Sequence, residues 1–195
     1  MTSPIRYEFQ LDDYTFDETY RSLYVTKAPF LGDKGNDTLV GNNKDNTLIG
    51  KAGDDILIGN EGSDVLNGGK GNDLVEFSVP TTWWEPSFTS KGVYADLNRG
   101  IAKDFYGGRD NLVSIEHVWA THLDDEIIGN DEDNDIVGGR GNDKILGGKG
   151  NDLIVGGEGE DFLIGGKDND TFLYRNVRDG GDRIHGSLHQ ESIDS

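Results

Sequence analysis

The sequence lacks several residues and patterns that stabilise or localise many small proteins. It has no cysteine, which excludes a disulfide scaffold and thiolate metal sites. Only 33% of its 195 residues are hydrophobic, and no stretch approaches the roughly 20 apolar residues of a membrane-spanning helix. Residues 1–30 contain no apolar run typical of a signal peptide. We therefore expect neither a membrane span nor an N-terminal export signal.

Positive charge is also scarce. Lys and Arg total 18 against 37 Asp and Glu, which gives a formal net charge of −19. Nucleic acids and anionic membrane surfaces are polyanions, so this balance argues against both as partners and favours cations. Low hydrophobicity together with a large net charge indicates a chain that does not collapse unaided. An additional source of folding free energy is needed.

Of the 29 glycines, 22 fall in two blocks of nine-residue repeats. The first block reads GDKGNDTLV, GNNKDNTLI, GKAGDDILI, GNEGSDVLN and GGKGNDLVE from Gly32. The second block reads ATHLDDEII, GNDEDNDIV, GGRGNDKIL, GGKGNDLIV, GGEGEDFLI and GGKDNDTFL from Ala120. The four prolines, Pro4, Pro29, Pro80 and Pro86, lie outside both blocks, which suits repeats that form continuous backbone ladders.

The eighth position of every unit is a large apolar residue. A recurrence of nine fits a strand of about three residues whose middle side chain points inward, followed by a six-residue turn. Two such units close one coil, and stacked coils place equivalent strands about 4.8 Å apart. The pattern predicts an all-β fold, a parallel β-roll (a β-helix or solenoid) in two blocks joined by a β-rich insert.

The repeats resemble the RTX (repeats-in-toxin, hemolysin-type) repeats of secreted Gram-negative proteins, G-G-x-G-x-D-x-U-x with U a large aliphatic residue. The units 138–146 and 147–155 match every fixed position of that pattern. Residues 92–97 and 111–116 also look like the sequence that connects such blocks. The resemblance covers about eleven units and implies calcium as the cofactor.

In this family the ion lies between the turns of units n and n+2, and this position implies a ligand set here. The implied sixth-position carboxylates are Asp37, Asp55, Asp64, Asp73, Asp125, Asp143, Asp152, Asp161 and Asp170, with Asp182 in a turn shifted by three residues. The implied carbonyls come from glycines at the second and fourth positions: Gly35, Gly53, Gly62, Gly69, Gly71, Gly139, Gly141, Gly148, Gly150, Gly157, Gly159 and Gly166. Such oxygens are the ligands that Ca²⁺ prefers.

Pairing n with n+2 predicts about seven ions. The predicted pairs are Asp37/Asp55, Asn46/Asp64, Asp55/Asp73, Asp125/Asp143, Asn134/Asp152, Asp143/Asp161 and Asp152/Asp170, with Asp161/Asp182 as a further candidate. Seven ions would contribute about +14, so that metal binding becomes folding free energy. Two units carry Lys44 with Asn46 and Glu132 with Asn134 at positions four and six. We expect their sites to be weaker or unfilled.

The repeats divide the chain into five segments. We predict an N-terminal cap over 1–31, a first repeat block over 32–76, a β-rich connecting insert over 77–119, a second block over 120–174 and a C-terminal cap or tail over 175–195. Residues after Ile184 are few for the C-terminal secretion signal of such proteins, which favours a fragment of a longer chain.

No pattern in the sequence indicates catalysis. The pair His185 and His189 lacks an HExxH motif, and no nucleophile elbow is present. We expect a non-enzymatic, secreted calcium-binding module that is exported by a type I secretion apparatus and folds on calcium outside the cell.

Two alternative functions remain open. One is an acidic-polysaccharide module accessory to an epimerase or lyase, which would use a basic row at the third positions or Trp83 and Trp84. The row comprises Lys34, Lys70, Arg140, Lys149 and Lys167, which are equally explained as charge compensation. The other alternative is a segment of a toxin or adhesin.

Overall fold

The computed structural model describes residues 14–17, 22–25, 29–77, 91–174, 181–185 and 188–193. These residues contain strands and turns but no α-helix, and none lies in a helix able to span a membrane. In chain order the strands are β1 (Tyr14–Asp17), β2 (Ser22–Val25), β3 (Phe30–Leu31), β4 (Thr38–Val40), β5 (Thr47–Ala52), β6 (Ile56–Ile58), β7 (Val65–Lys70), β8 (Leu74–Glu76), β9 (Lys91–Asp96), β10 (Ile101–Lys103), β11 (Arg109–Val113), β12 (His117–Trp119), β13 (Asp124–Ile128), β14 (Asp135–Arg140), β15 (Lys144–Gly148), β16 (Leu153–Glu158), β17 (Phe162–Gly166), β18 (Asp170–Tyr174), β19 (Arg183–His185) and β20 (Leu188–Ile193).

The strands form two ten-stranded sheets that face each other. Sheet A has the order β1-β2-β4-β6-β8-β12-β14-β16-β18-β20, and sheet B has the order β19-β17-β15-β13-β9-β10-β11-β7-β5-β3. Successive strands of each repeat block alternate between the sheets, and each pairs in parallel with the strand two units away. This is the parallel β-roll that the repeat spacing predicts.

Each repeat strand contributes its middle side chain to one continuous core. In sheet A the register stacks Leu39 on Leu57, Leu57 on Val75, and Val75 on Val118 of the insert. The stack continues through Ile136, Ile154 and Phe172. All of these side chains are buried. Each repeat strand therefore contributes about one apolar side chain to the core. The turns on the two edges of the roll must supply the rest of the stabilising free energy.

The insert joins the blocks differently in the two sheets. In sheet A, β12 alone bridges β8 and β14. In sheet B, β9, β10 and β11 form an antiparallel meander whose outer strands pair in parallel with β13 and β7. Sheet B thus contains two strands, β9 and β10, that have no counterpart in sheet A.

Both ends of the described chain extend the sheets. β2 and β3 pair in parallel with β4 and β5, and β1 pairs antiparallel with β2. β19 and β20 add to β17 and β18. Trp83 and Trp84 lie outside the described residues.

Candidate metal centre

The sixth-position aspartates form ladders along the two edges of the roll. On the first edge, the backbone amide of Asp37 donates to Asp55 Oδ1 (2.8 Å) and that of Asp55 donates to Asp73 Oδ1 (2.9 Å). Farther along, the Asp152 amide donates to Asp170 Oδ1 (3.2 Å). Each bond joins residues 18 apart, which is two units. The structure thus brings together the turns that the n and n+2 pairing assigns to common sites.

The second edge repeats this arrangement. The amide of Asp125 donates to Asp143 Oδ1 (2.9 Å), and that of Asp143 donates to Asp161 Oδ1 (2.8 Å). The Asp161 amide donates to Asp182 Oδ1 (3.0 Å) across 21 residues, so the shifted turn before β19 also joins the ladder. Asp182 therefore lies where the sequence places it, despite the three-residue offset.

The second carboxylate oxygen of most of these aspartates is buried and accepts no hydrogen bond from any residue that the structure describes. These oxygens are the Oδ2 atoms of Asp55, Asp64, Asp73, Asp143, Asp152 and Asp170. The Oδ2 of Asp55 faces the Gly50 backbone, where an added Cβ would clash with it and would lie 2.7 Å from the carbonyl oxygen of Gly68. A buried carboxylate oxygen without a donor is costly unless a cation compensates it. Hard anionic and carbonyl oxygens at one point fit Ca²⁺.

Burial is the main reason that these carboxyl groups resist ionisation in the absence of a cation. Desolvation, offset by the amide bond and reinforced by neighbouring aspartates, raises the pKa of Asp143 to about 8 and that of Asp64 to about 7. The same causes raise the pKa of Asp55 and of Asp152 to about 6. The folded turns hold charges that repel each other, and an ion between them would reverse that interaction.

The turn glycines bring successive turns into backbone contact. Gly157 and Gly159 have φ of 112° and 150°, in the left-handed region, and a Cβ on either would clash with the carbonyl of Gly139 or Gly141 two units earlier. A backbone carbonyl group two units earlier also lies beside the other turn glycines Gly53, Gly62, Gly69, Gly71, Gly141, Gly148, Gly150 and Gly166. Gly35, in the first turn, has only the Asp33 side chain nearby. Carbonyl oxygens thus line both edges beside the carboxylates.

The two atypical units keep the turn but change its polar atoms. Lys44 and Glu132 are exposed, and their carbonyls face Gly62 and Gly150 as a glycine carbonyl would. Asn134 is fully buried, and its Nδ2 donates to the carbonyl of Glu116 (2.8 Å). Among the described residues, the Nδ2 of Asn46 donates only to Asn42 Oδ1, at 3.4 Å. In both units the side-chain NH₂ group of asparagine, a hydrogen-bond donor, therefore replaces one carboxylate oxygen of the usual sixth-position aspartate.

Two acidic residues of the insert join the ladders, and the repeat pattern did not reveal them. The Asp73 amide donates to Glu116 Oε2 (2.9 Å) across 43 residues, and the Asp64 amide donates to Asp110 Oδ1 (2.9 Å) across 46. Desolvation raises the pKa of both acidic groups, that of Asp110 to about 6. Gly108-Arg109-Asp110 repeats the Gly-x-Asp of positions four to six, a signal that could have identified Asp110. Glu116 has no comparable signal.

The other candidate residues have structural contacts. His117 Nδ1 accepts the amide of Asp135 (2.9 Å), and the His185 ring lies against Phe162. In the described ranges, no three His, Cys, Asp or Glu side chains converge as a metal cluster, so any site here combines carboxylates with backbone oxygens.

Part of the basic row is paired within its own edge of the roll. Arg140 Nε lies 3.5 Å from Glu158 Oε2, and Lys149 pairs with Asp131. Both acidic partners occupy the third position two units away. This supports the charge-compensation interpretation for these two cations.

Comparison with known proteins agrees with this geometry. The family model of the RTX calcium-binding nonapeptide repeat matches four times, at residues 31–64, 40–75, 124–145 and 137–172. No curated protein matches the chain. Among solved structures, the crystal structure of the extracellular lipase LipA from Serratia marcescens is similar, with 20% identity and a TM-score of 0.37 over 86% of this chain and 34% of that one. The chain thus spans about a third of the length of that structure. With its repeats stacked as a β-roll, this chain belongs to the proteins that carry RTX calcium-binding nonapeptide repeats.

Proposed function

We propose that this chain is a module that folds when it binds calcium. The supporting observation is that the buried Oδ2 atoms of six sixth-position aspartates accept no hydrogen bond from the described residues: those of Asp55, Asp73, Asp152 and Asp170 on the first edge, and those of Asp64 and Asp143 on the second. The burial of one apolar side chain per strand does not offset the free-energy cost of desolvating these carboxylates. Calcium bound between facing turns would supply the missing free energy, since the folded turns assemble a site that the unfolded chain lacks.

The proposed sites are the pairs predicted from the repeat spacing, about seven in number. Asp55, Asp73, Asp143, Asp152 and Asp170 would hold ions with their free carboxylate oxygens and the turn carbonyls beside them. When bound, calcium supplies charge neutralisation and no reaction chemistry. The β-roll repeats are a structural module, so we place any catalytic function of the parent protein outside this chain.

We further propose that the module belongs to a secreted protein exported by a type I apparatus. Such a module would stay unfolded at the low free calcium of a cytosol and fold in an extracellular medium. The net charge of −19 supports this, because without bound cations it opposes collapse. Extracellular calcium modules bind with a Kd of about 10⁻⁴–10⁻³ M, and we expect the folding midpoint in that range.

Circular dichroism of the full chain tests the proposal. In EGTA the spectrum should be that of a disordered chain, and about 10 mM calcium should produce a β-sheet spectrum. Magnesium at the same concentration should not replace calcium, because it requires a smaller octahedral shell and retains its water. Equal β-sheet signal in EGTA and in calcium would contradict the proposal, and a submicromolar midpoint would contradict the export scheme.

A further inference from the structure

The loop 104–110 of the insert takes the place of a repeat turn on the second edge of the roll. β11 pairs in parallel with β7, with Leu112 opposite Leu66, so this loop lies against the turn 59–64. The Arg109 amide donates to Ser63 Oγ (3.2 Å), next to the Asp64–Asp110 bond of the ladder. A Cβ on Gly108 would clash with the Gly62 carbonyl, as one on Gly71 would with that of Gly53. Gly108 and Asp110 thus act as positions four and six.

The loop also carries a carboxylate that a repeat turn does not have. Asp104 is only 5% exposed, and its Oδ1 accepts the Gly108 amide (2.8 Å). Its Oδ2 is buried and accepts no hydrogen bond from the described parts of the chain. A Cβ on Gly108 would lie 2.7 Å from this Oδ2 and in contact with the Gly62 carbonyl oxygen. The carboxylate and the carbonyl therefore face the same point.

A third oxygen lies in the neighbouring repeat turn, whose Asp64 carboxylate is close enough to Asp104 for the two to repel each other. The Oδ2 of Asp64 is buried, accepts no hydrogen bond within the described ranges, and lies against the Gly59 backbone. Gly59, Asp104 and Asp110 line one small cavity of about 20 Å³, which Phe77 and Tyr106 help to enclose. That volume holds about one water-sized species. The donor-free carboxylate oxygen of Asp104, buried beside a space of this size, is costly unless a cation or an equivalent donor compensates it.

We propose a calcium site between the turn 59–64 and the insert loop, in which Asp64, Asp104 and the Gly62 carbonyl are ligands and Asp110 keeps the loop in register. The site rests on the proposed calcium-dependent function and adds an ion to the number that the nonapeptide pattern predicts. Asn46 is the partner of Asp64 two units earlier, but the position two units after Asp64 is residue 82, which belongs to the insert. The repeats alone therefore leave this turn without a following partner. Calcium here would tie the insert to the first block.

The experiment counts calcium ions bound to the full chain by isothermal titration calorimetry. The wild type is compared with Asp104→Asn, which removes the charged ligand but keeps the size of the side chain. Glu61→Gln is the matched control, because Glu61 is an acidic neighbour of Asp104 in the turn 59–64 and its Oε1 accepts a hydrogen bond from Asn43. We expect Asp104→Asn to bind one ion fewer than the wild type, and Glu61→Gln to bind the same number as the wild type.

The outcomes separate this site from the general function. If the wild type binds calcium and Asp104→Asn binds as many ions, the inferred site is wrong and the repeat sites stand. If the wild type itself binds no calcium, the proposed function fails as well. Equal loss in Glu61→Gln would assign the effect to local charge and overturn the ligand role of Asp104.

A second measurement covers the case in which Asp104→Asn does not fold. Terbium replaces calcium, and tyrosine-sensitised emission is compared between the wild type and Tyr106→Phe, which leaves every carboxylate intact. Tyr106 lines the cavity beside Asp104, so emission should fall in the variant. Unchanged emission would overturn the site.

Discussion

At a single sixth-position aspartate, the two carboxylate oxygens have different roles. Oδ1 accepts the amide of the turn two units earlier and fixes the register of the coils. In Asp55, Asp64, Asp73, Asp143, Asp152 and Asp170, Oδ2 is buried and accepts no hydrogen bond from the described residues. Substituting one such residue therefore affects both the ladder and the proposed ion, and the size of the effect depends on the position of the residue in its ladder.

Asp152→Ala should raise the calcium midpoint of folding clearly more than Asp37→Ala. Asp152 is buried and connects Asn134 to Asp170, and its loss leaves the Asn134 amide without its acceptor, which costs about 1–3 kcal/mol. Asp37 lies half-buried in the first turn, where its Oδ2 accepts the backbone amide of Asp33 (2.7 Å). Calcium titrations followed by circular dichroism measure both midpoints. Equal midpoints would mean that the pairing of n with n+2 is wrong or that the first block controls folding.

The two sixth-position asparagines should respond oppositely to replacement by aspartate. Asn46→Asp adds a carboxylate and gives up only a long contact to Asn42, so the calcium midpoint should fall. Charge alone predicts the same for Asn134→Asp. However, that change replaces the donor to the Glu116 carbonyl by a buried anion, so the midpoint should rise. Titrations of both variants against the wild type test this, and a fall in both midpoints would show that charge outweighs the lost bond.

At the scale of elements, the inward side chain of each three-residue strand carries the packing. Ile136 in β14 is fully buried between Val118 and Ile154, whereas the next residue, Val137, is half-buried on the opposite face. Ile136→Ala should lower the free energy of unfolding in calcium by about 2–5 kcal/mol. Val137→Ala is the control and should cost less than about 1 kcal/mol. Urea unfolding in calcium measures both, and similar losses would refute the one-sided core.

The sequence predicts the repeat strands well and the insert poorly, for a physical reason. β4 to β8 and β14 to β18 follow from the nine-residue period because every unit repeats the same packing and turn chemistry. Within the insert, the ladder partners are 43 and 46 residues apart, and Glu116 replaces aspartate. Those distances follow from how the meander β9–β11 folds into sheet B, which no local period encodes. For the same reason Asp104 could not be assigned before the pairing of β7 with β11 was known.

For the whole molecule, protons should partly substitute for calcium. Burial raises the pKa of Asp55, Asp64 and Asp143 from 3.8 to about 6, 7 and 8 in the folded chain. Because these folded values exceed the unfolded one, their contribution to stability is fully present below about pH 4 and is lost as pH rises through about 6–8. In EGTA, β-sheet signal at about pH 4.5 should therefore exceed that at about pH 8.

The control for this pH effect is the chain saturated with calcium. The metal holds its carboxylates ionised, so a spectrum recorded at neutral pH should agree with one recorded at higher pH. A calcium-free chain that is equally disordered at both pH values, or more ordered at the higher one, would contradict the burial of these groups.

The unequal insertion of strands into the two sheets also bears on cooperativity. On the first edge, the bonds from Asp73 to Glu116, from Asn134 to Glu116 and from Asn134 to Asp152 run through both blocks without interruption. On the second edge, β10 and β9 separate Asp110 from Asp125, whose Oδ1 instead accepts the Val93 amide (2.6 Å). In a one-dimensional array, order spreads through nearest-neighbour terms. Folding can therefore propagate from one block to the other along the first edge, whereas each half of the second edge must nucleate separately.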